Sequence, residues 1–397
     1  MAQELRAEAA MTHLERFLTV ARFETPDYIP IFGFPGAPGM SRGCMKFTHD
    51  RLVATGMPEH VGGTYLNYRS SDVDSWYRFW GTTGPIGIDF GLAWGAEGFK
   101  TTRRVEDGFE TIESESGEVT RQVIDNDITY TMPEFIRYPV RDRDSWEFYR
   151  ERTAPKEFMS PEDMEERCKK FDDRDMPLCI GAGGAYSLVR GLMGPEAASF
   201  AFHDDPELVH DMIQWRLENV RRTVYPLIDR LKPEIVTMGE DLCYNHGMML
   251  SPDHFREFCG SYYQEVCDCA RASDVPVVAV DTDGNAMEFT GLAASYGVNA
   301  IYPYEVKAGN DLFTLRQQHP RFLLFGWLEK ETVNESNEDD IAPEIMKKVP
   351  PLLESRGYYP NGDHGIQPPV TYPNLCRFMT ILHEVCDNPE GEFPRSR

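Results

Sequence analysis

The chain has 397 residues and carries 40 Lys and Arg against 65 Asp and Glu, a formal charge of −25 that repels a nucleic-acid backbone and an anionic membrane surface. Hydrophobic residues at 41% and aromatics at 12% are enough to build a core and exclude wholesale disorder. Nine cysteines (44, 168, 179, 243, 259, 267, 269, 376 and 386) are odd in number and form no CxxC pair, which argues against a disulfide framework and for a reduced, cytoplasmic setting.

In chain order, the N-terminus mixes Glu4, Arg6, Glu8, Glu15 and Arg16 into an amphipathic pattern, unlike the unbroken apolar stretch of a secretion signal. Tyr28–Phe32 and, more weakly, Ile86–Phe90 read as strands. From about 99 to 140 the pattern changes to four short strands, Lys100–Val105, Phe109–Glu113, Glu118–Ile124 and Ile128–Met132, separated by Asp-Gly, Ser-Gly and Asn-Asp turns. That is an antiparallel β-meander, inserted to cover a pocket mouth or to make a subunit contact.

Beyond residue 175 short apolar runs alternate with longer periodic stretches, the pattern of a parallel sheet with crossover helices. Met176–Ile180, Ile235–Met238, Val277–Val280, Ala300–Tyr302, Phe322–Phe325 and Gly357–Tyr359 are predicted strands. Asp205–Arg230 and Pro252–Ala272 are predicted helices, the second opened by Ser251-Pro252 as cap and first residue, a start signal repeated at Ser160-Pro161. With the two N-terminal strands these make eight, so the expected fold is α/β: a (β/α)8 TIM barrel forming one domain over residues 1–397, with the meander inserted. The most apolar run, Phe322–Leu328, is far shorter than the ~20 residues of a membrane helix.

In such a barrel chemistry sits at the C-terminal strand ends, so the residues after each apolar run matter most. Gly239-Glu240-Asp241, Asp281-Thr282-Asp283-Gly284-Asn285, Pro303-Tyr304-Glu305 and Asn361-Gly362-Asp363-His364-Gly365 follow four of them. Carboxylates and one imidazole from separate strands can bind Zn, Mn or Fe, or transfer protons. Asp281 and Asp283, two apart, raise each other's pKa if they share a side, but they can equally cap the next helix, with Glu240 and Asp241 paired to arginines. His364 lies between Gly362 and Gly365, whose backbone freedom allows close approach to a ligand; His246 is the weaker histidine and is expected to line a loop. Gly181-Ala182-Gly183-Gly184-Ala185 turns a strand into a helix and can present N–H groups to an anion, but it matches neither a dinucleotide fingerprint nor a P-loop.

These segments, together with Leu250-Ser251-Pro252-Asp253-His254-Phe255, Gly194-Pro195-Glu196, Asp204-Asp205-Pro206-Glu207, Ile366 after the last turn, Asn374, and the opening Arg16-Phe17 through Pro26-Asp27-Tyr28-Ile29-Pro30, resemble the uroporphyrinogen decarboxylase superfamily over nearly the whole chain outside the meander. That superfamily includes decarboxylases and methyltransferases that use a corrinoid carrier protein. The arginine-bearing Met-Arg-Gln-Ala-Gly-Arg stretch of the decarboxylases is replaced here by Phe32-Gly33-Phe34-Pro35-Gly36-Ala37-Pro38-Gly39-Met40-Ser41-Arg42, which argues against uroporphyrinogen itself as substrate. The His-x-Cys pair of the thiol-activating methyltransferases reads Asp281 and Asp283, so a thiolate zinc site is lost and an oxygen-rich one is left.

The resemblance implies a methyltransferase taking a methyl group from a small substrate, such as a methoxy compound, to a corrinoid on a separate protein. Its expected zinc ligands are Asp281, Asp283 and His364; Glu240 is a fourth ligand or general acid. Asp283, His364 and Tyr304 complete the catalytic set, and Asp89, Tyr186, Asp241, Asn285 and Glu305 bind substrate. The alternatives are a metal-free decarboxylase or lyase in which Asp89, Asp283 and His364 protonate a carbanion-like intermediate, and a non-catalytic tetrapyrrole- or corrinoid-binding protein. A homodimer fits the size of the chain.

Overall fold

The computed structural model describes residues 10–35, 44–66, 69–88, 100–114, 116–124, 133–153 and 159–396. Its centre is a curled, wholly parallel sheet of seven strands. In spatial order they are Tyr358–Gly362, Leu323–Leu328, Ala300–Pro303, Val277–Thr282, Ile235–Gly239, Leu178–Gly181 and Ile86–Gly87. Their Val-, Ile- and Leu-rich composition suits a sheet covered on both faces, and helices cross between successive strands as parallel pairing requires. The result is TIM-barrel-like.

Two of the predicted strands differ from expectation. Tyr28–Phe32 forms no strand, because only Phe32 pairs, in a single bridge to Thr83. That short segment nevertheless reaches both edges of the sheet. Thr83 N–H donates to the Ile31 carbonyl at 2.9 Å and Gly33 N–H to the Thr83 carbonyl at 2.8 Å, while Phe32 N–H donates to the Pro360 carbonyl at 3.2 Å. Of Ile86–Phe90 only Ile86–Gly87 is a strand, and residues 89 and 90 lie outside the described set.

The inner core follows the period of two along each strand. Cys179, Ile235, Val277, Ala279, Ala300, Tyr302, Leu323, Phe325 and Tyr359 pack together inside the curl. The end where the strands start is plugged by the helix His13–Ala21, which opens with a Thr12–Glu15 capping box and buries Phe17 and Val20. Phe17 stacks within 5.0 Å of the Tyr359 ring, whose hydroxyl donates to the Phe17 carbonyl at 2.7 Å. The larger outer core lies between sheet and helices.

The predicted helix 205–230 breaks at Val224 into Pro206–Thr223 and Tyr225–Leu231, because Pro226 has no amide hydrogen to continue the ladder. Pro252–Ala272 is helical throughout but contains a π turn at Phe255–Cys259. Ser251 and Ser160 accept the His254 and Asp163 amides, as their sequence signals predict.

The meander is a separate antiparallel sheet of Thr102–Glu106, Phe109–Glu113, Val119–Val123 and Glu134–Arg137. The fourth strand expected at Ile128–Met132 lies outside the described residues. Cross-strand ion pairs Arg103–Glu110 at 2.9 Å and Arg121–Glu134 at 2.6 Å lace the sheet, and its edge strand Thr102–Glu106 is charged and exposed, which discourages stray pairing. No helix among the described residues is long and apolar enough to cross a membrane.

Candidate active site

Strand pairing sets the floor of the site. Asp281 sits opposite both Gly239 and Tyr302 in the parallel register, and it continues the inward-pointing series Val277, Ala279. Tyr302 shares a hydrogen bond of 2.9 Å with the Thr237 hydroxyl one layer lower, opposite Ala279. Asp281 is therefore half-buried at the top of the core. Burial, reinforced by the charges of Asp283 and Asp241, pushes its pKa up to about 8.

Above it, Asp283 and His364 face each other, with Nε2 3.6 Å from Oδ1. His364 Nδ1 accepts the Gly365 amide at 2.8 Å, which leaves the ring proton of the neutral imidazole on Nε2, toward Asp283. Burial alone disfavours charge on both groups. For His364 the Asp283 carboxylate outweighs it and raises the pKa; for Asp283 the imidazole, aided by Lys330 and Arg190, outweighs it and lowers the pKa.

The remaining strand-end residues divide sharply. Asp241, held at φ +45, pairs with Arg190 at 2.6 Å on the rim. Tyr304 and Trp327 also have positive φ, so three bulky strand-end residues occupy backbone that glycine prefers. Glu305 accepts the Gly284 amide at 2.8 Å and faces Lys330 Nζ at 3.9 Å. Asp363 is buried and accepts the Val306 and Lys330 amides, each at 2.9 Å, clasping three strand-end loops together; burial pushes its pKa to about 6.

Several expected site residues do not reach the mouth. Glu240, 1% exposed, accepts the Ala185 and Ser187 amides at 2.8 and 2.9 Å and so fills the N-terminus of helix Ala185–Met193 with the chain's own carboxylate. The glycine stretch is thereby closed to an outside anion. A Cβ on Gly184 would lie 2.3 Å from the Gly239 carbonyl and 2.5 Å from the Glu240 carboxyl, which is why glycine stands there. Burial is the main reason that the Glu240 pKa rises to about 6.

Tyr304 is fully buried with its hydroxyl on Thr290 at 3.1 Å, and Tyr186 is spent on Met249 sulfur at 3.2 Å. Asn285 binds the Ala308 carbonyl and the Met287 amide, a loop and helix-start role. His246 stands on the hairpin Cys243–Tyr244/Gly247–Met248, edge-on to Tyr244. Asp89 and Arg42 lie outside the described residues.

Among the described residues no three His, Cys, Asp or Glu side chains are grouped so as to hold a metal ion. Asp281, Asp283 and His364 are neighbours at the strand ends, with Asp283 and His364 paired to each other.

Lys330 and Arg190 were not foreseen. The strand predicted to end at Phe325 continues to Leu328, so the polar pair at its true end is Glu329-Lys330. Arg190 lies one turn into the helix that follows the glycine stretch, where its long side chain reaches back to the rim.

The uroporphyrinogen decarboxylase (URO-D) family model matches residues 133–385, more than half of the chain. No curated protein matches it. Among solved structures, a methyltransferase from Methanosarcina mazei superposes with a TM-score of 0.56 over 95% of this chain and 98% of that one, at 15% identity, a likeness of fold. The parallel curled sheet, its polar strand ends and the family match together make this chain a member of the uroporphyrinogen decarboxylase family.

Proposed function

We propose that this protein is a methyltransferase that takes a methyl group from a small uncharged donor, a methoxy compound, and delivers it to an acceptor presented at the mouth. The observation that carries the reading is the Asp281 carboxyl at the end of its strand beside the Asp283–His364 pair, with its pKa pushed up to about 8 by burial and its acidic neighbours. A methyl ether yields its methyl group readily only if the departing oxygen is stabilised or protonated. In the step, the acceptor's electron pair forms the new bond to the methyl carbon while the carbon–oxygen bond breaks toward oxygen. The oxygen takes the Asp281 proton and leaves as a hydroxyl, and solvent reprotonates Asp281. A reduced corrinoid carried by a separate protein, as the resemblance implies, is the acceptor and supplies that electron pair.

Charge balance at the mouth favours an uncharged donor over a carboxylate. Arg190 is committed to Asp241 at 2.6 Å, which leaves Lys330, opposed by Glu305 only at 3.9 Å, as a single loosely paired cation among the described mouth residues, enough for one oxygen but not for the two of a carboxylate.

The test is to incubate the protein with methoxy aromatic and aliphatic donors and a reduced corrinoid carrier protein, and to follow the free hydroxyl product by chromatography. Product release that falls about a hundredfold or more in Asp281→Asn is expected, the usual scale of a general acid. Absence of demethylation across the panel, with carbon dioxide released from a small acid instead, would replace this reading by the decarboxylase one.

A further inference from the structure

Among the described residues, one cation at the mouth has no hydrogen-bond acceptor for its side chain. Lys330 follows the strand Leu323–Leu328 and opens the turn Lys330–Asn334. Its Nζ is 3.9 Å from Glu305 Oε1, beyond hydrogen-bond range, whereas Glu305 has already given its other oxygen to the Gly284 amide at 2.8 Å. The side chain is only 20% exposed, so water does not fully replace the missing acceptor. Its backbone is fixed, because the Lys330 amide donates to Asp363 at 2.9 Å and Asp363 is itself held by the Val306 amide. Its partner Glu305 binds the Gly284 amide, next to Asp283, and its own amide is bound by Asp363, next to His364, so it stands on the same strand-end loops as that pair.

Resting on the methyl-transfer reading above, we infer that Lys330 binds the oxygen from which the methyl group departs and holds its growing negative charge until the proton arrives. A loosely paired ammonium suits that task better than a tightly paired one. Its ground-state partner is weak, so the interaction strengthens as charge develops, which is the condition for lowering a barrier. Lys330 thus selects donors whose oxygen leaves as a stabilised anion, aryl methyl ethers above alkyl ones. Asp363 is its positioning residue.

The test uses 4-nitrophenol as a stand-in for the departing hydroxyl compound, since its anion absorbs visibly and its neutral form does not. Titrated into the full chain near neutral pH, it is expected to bind with its ionisation shifted toward the anion. Lys330→Met is expected to abolish that spectral shift and weaken binding about tenfold to a hundredfold, and Lys330→Arg to restore most of it. Asp363→Asn, which leaves the ammonium in place but loosens its backbone, is expected to fall between. Circular dichroism checks that each variant is folded. Equal affinity and equal ionisation in wild type and Lys330→Met, or no binding to wild type, overturns the inference. The measurement needs no methyl transfer, so Lys330-dependent binding alongside a failed donor screen would overturn the methyltransferase reading alone.

Discussion

Asp281 and Asp283 lie two residues apart yet their pKa values are driven in opposite directions, the first pushed up to about 8 by burial and its acidic neighbours, the second held below its ordinary value by His364 and nearby cations. Two carboxyls with separated pKa values are what acid–base work at one pH requires.

A raised acid costs stability in a definite pH window. Unfolded, Asp281 loses its proton near its ordinary value of 3.8; folded, it keeps it to about 8. The native state therefore binds the extra proton in between, and stability falls as pH rises through that interval, with the full cost reached above it. Asp281→Asn removes the ionising group. Its melting temperature is expected to match wild type near pH 4 and to exceed it at pH 8–9, measured by calorimetry across pH; parallel curves would contradict the assignment.

His364 owes its raised pKa to Asp283. In Asp283→Asn the imidazole is left with burial and Lys330, which favour the neutral ring, against only the smaller opposing effect of Glu305, so its midpoint should drop below the ordinary 6.5. Proton NMR of the His364 ring across pH reads this directly. In wild type the ion pair stabilises the fold below the unfolded value and fades as pH climbs through the higher folded one.

Glu240 is a structural carboxylate. Glu240→Ala strands the Ala185 and Ser187 amides and should lower stability by about 2–4 kcal/mol, two lost charge-assisted hydrogen bonds, in urea unfolding. Gly184→Ala, whose Cβ meets backbone at 2.3 Å, should be at least as damaging. A mild effect in both would mean that this turn relaxes freely.

Asp363→Asn should speed hydrogen exchange at the Val306 and Lys330 amides, which lose a charged acceptor, while exchange in the strands below is unchanged. Uniform acceleration across the sheet would show a general loss of stability instead of an opened clasp.

Chelation is expected to leave the melting temperature unchanged, because no three potential ligands among the described residues are grouped around one point. A fall on chelation, restored by zinc, would show that Asp281, Asp283 and His364 rearrange to take the metal.

Much of the fold was legible because buried parallel strands announce themselves as apolar runs: Ile235–Gly239, Val277–Thr282 and Ala300–Pro303 each lie within one or two residues of their predicted limits. Tyr28–Phe32 misled for the same reason. Its apolar residues fill the core, but only Phe32 meets a neighbour in register. In the site, sequence placed the right residues at strand ends but not their directions. Glu240 and Asp241 are adjacent, yet one turns under a helix and the other out to Arg190, a choice made by the +45 φ of Asp241 that no composition signals. Lys330 was hidden by a strand that runs three residues past its predicted end at Phe325.

The seam between Phe32 and Pro360 has a consequence for how the chain acquires its shape. A segment made early must wait for one of the last strands before its amide finds a partner. Until then the growing sheet presents the Ile86–Gly87 side as an open edge, and the contact that closes it spans nearly the entire chain, the kind that forms late and slowly. The N-terminal helix, which needs the Tyr359 ring to seat Phe17, waits with it. Folding of this protein on the ribosome thus closes with the seam at Phe32.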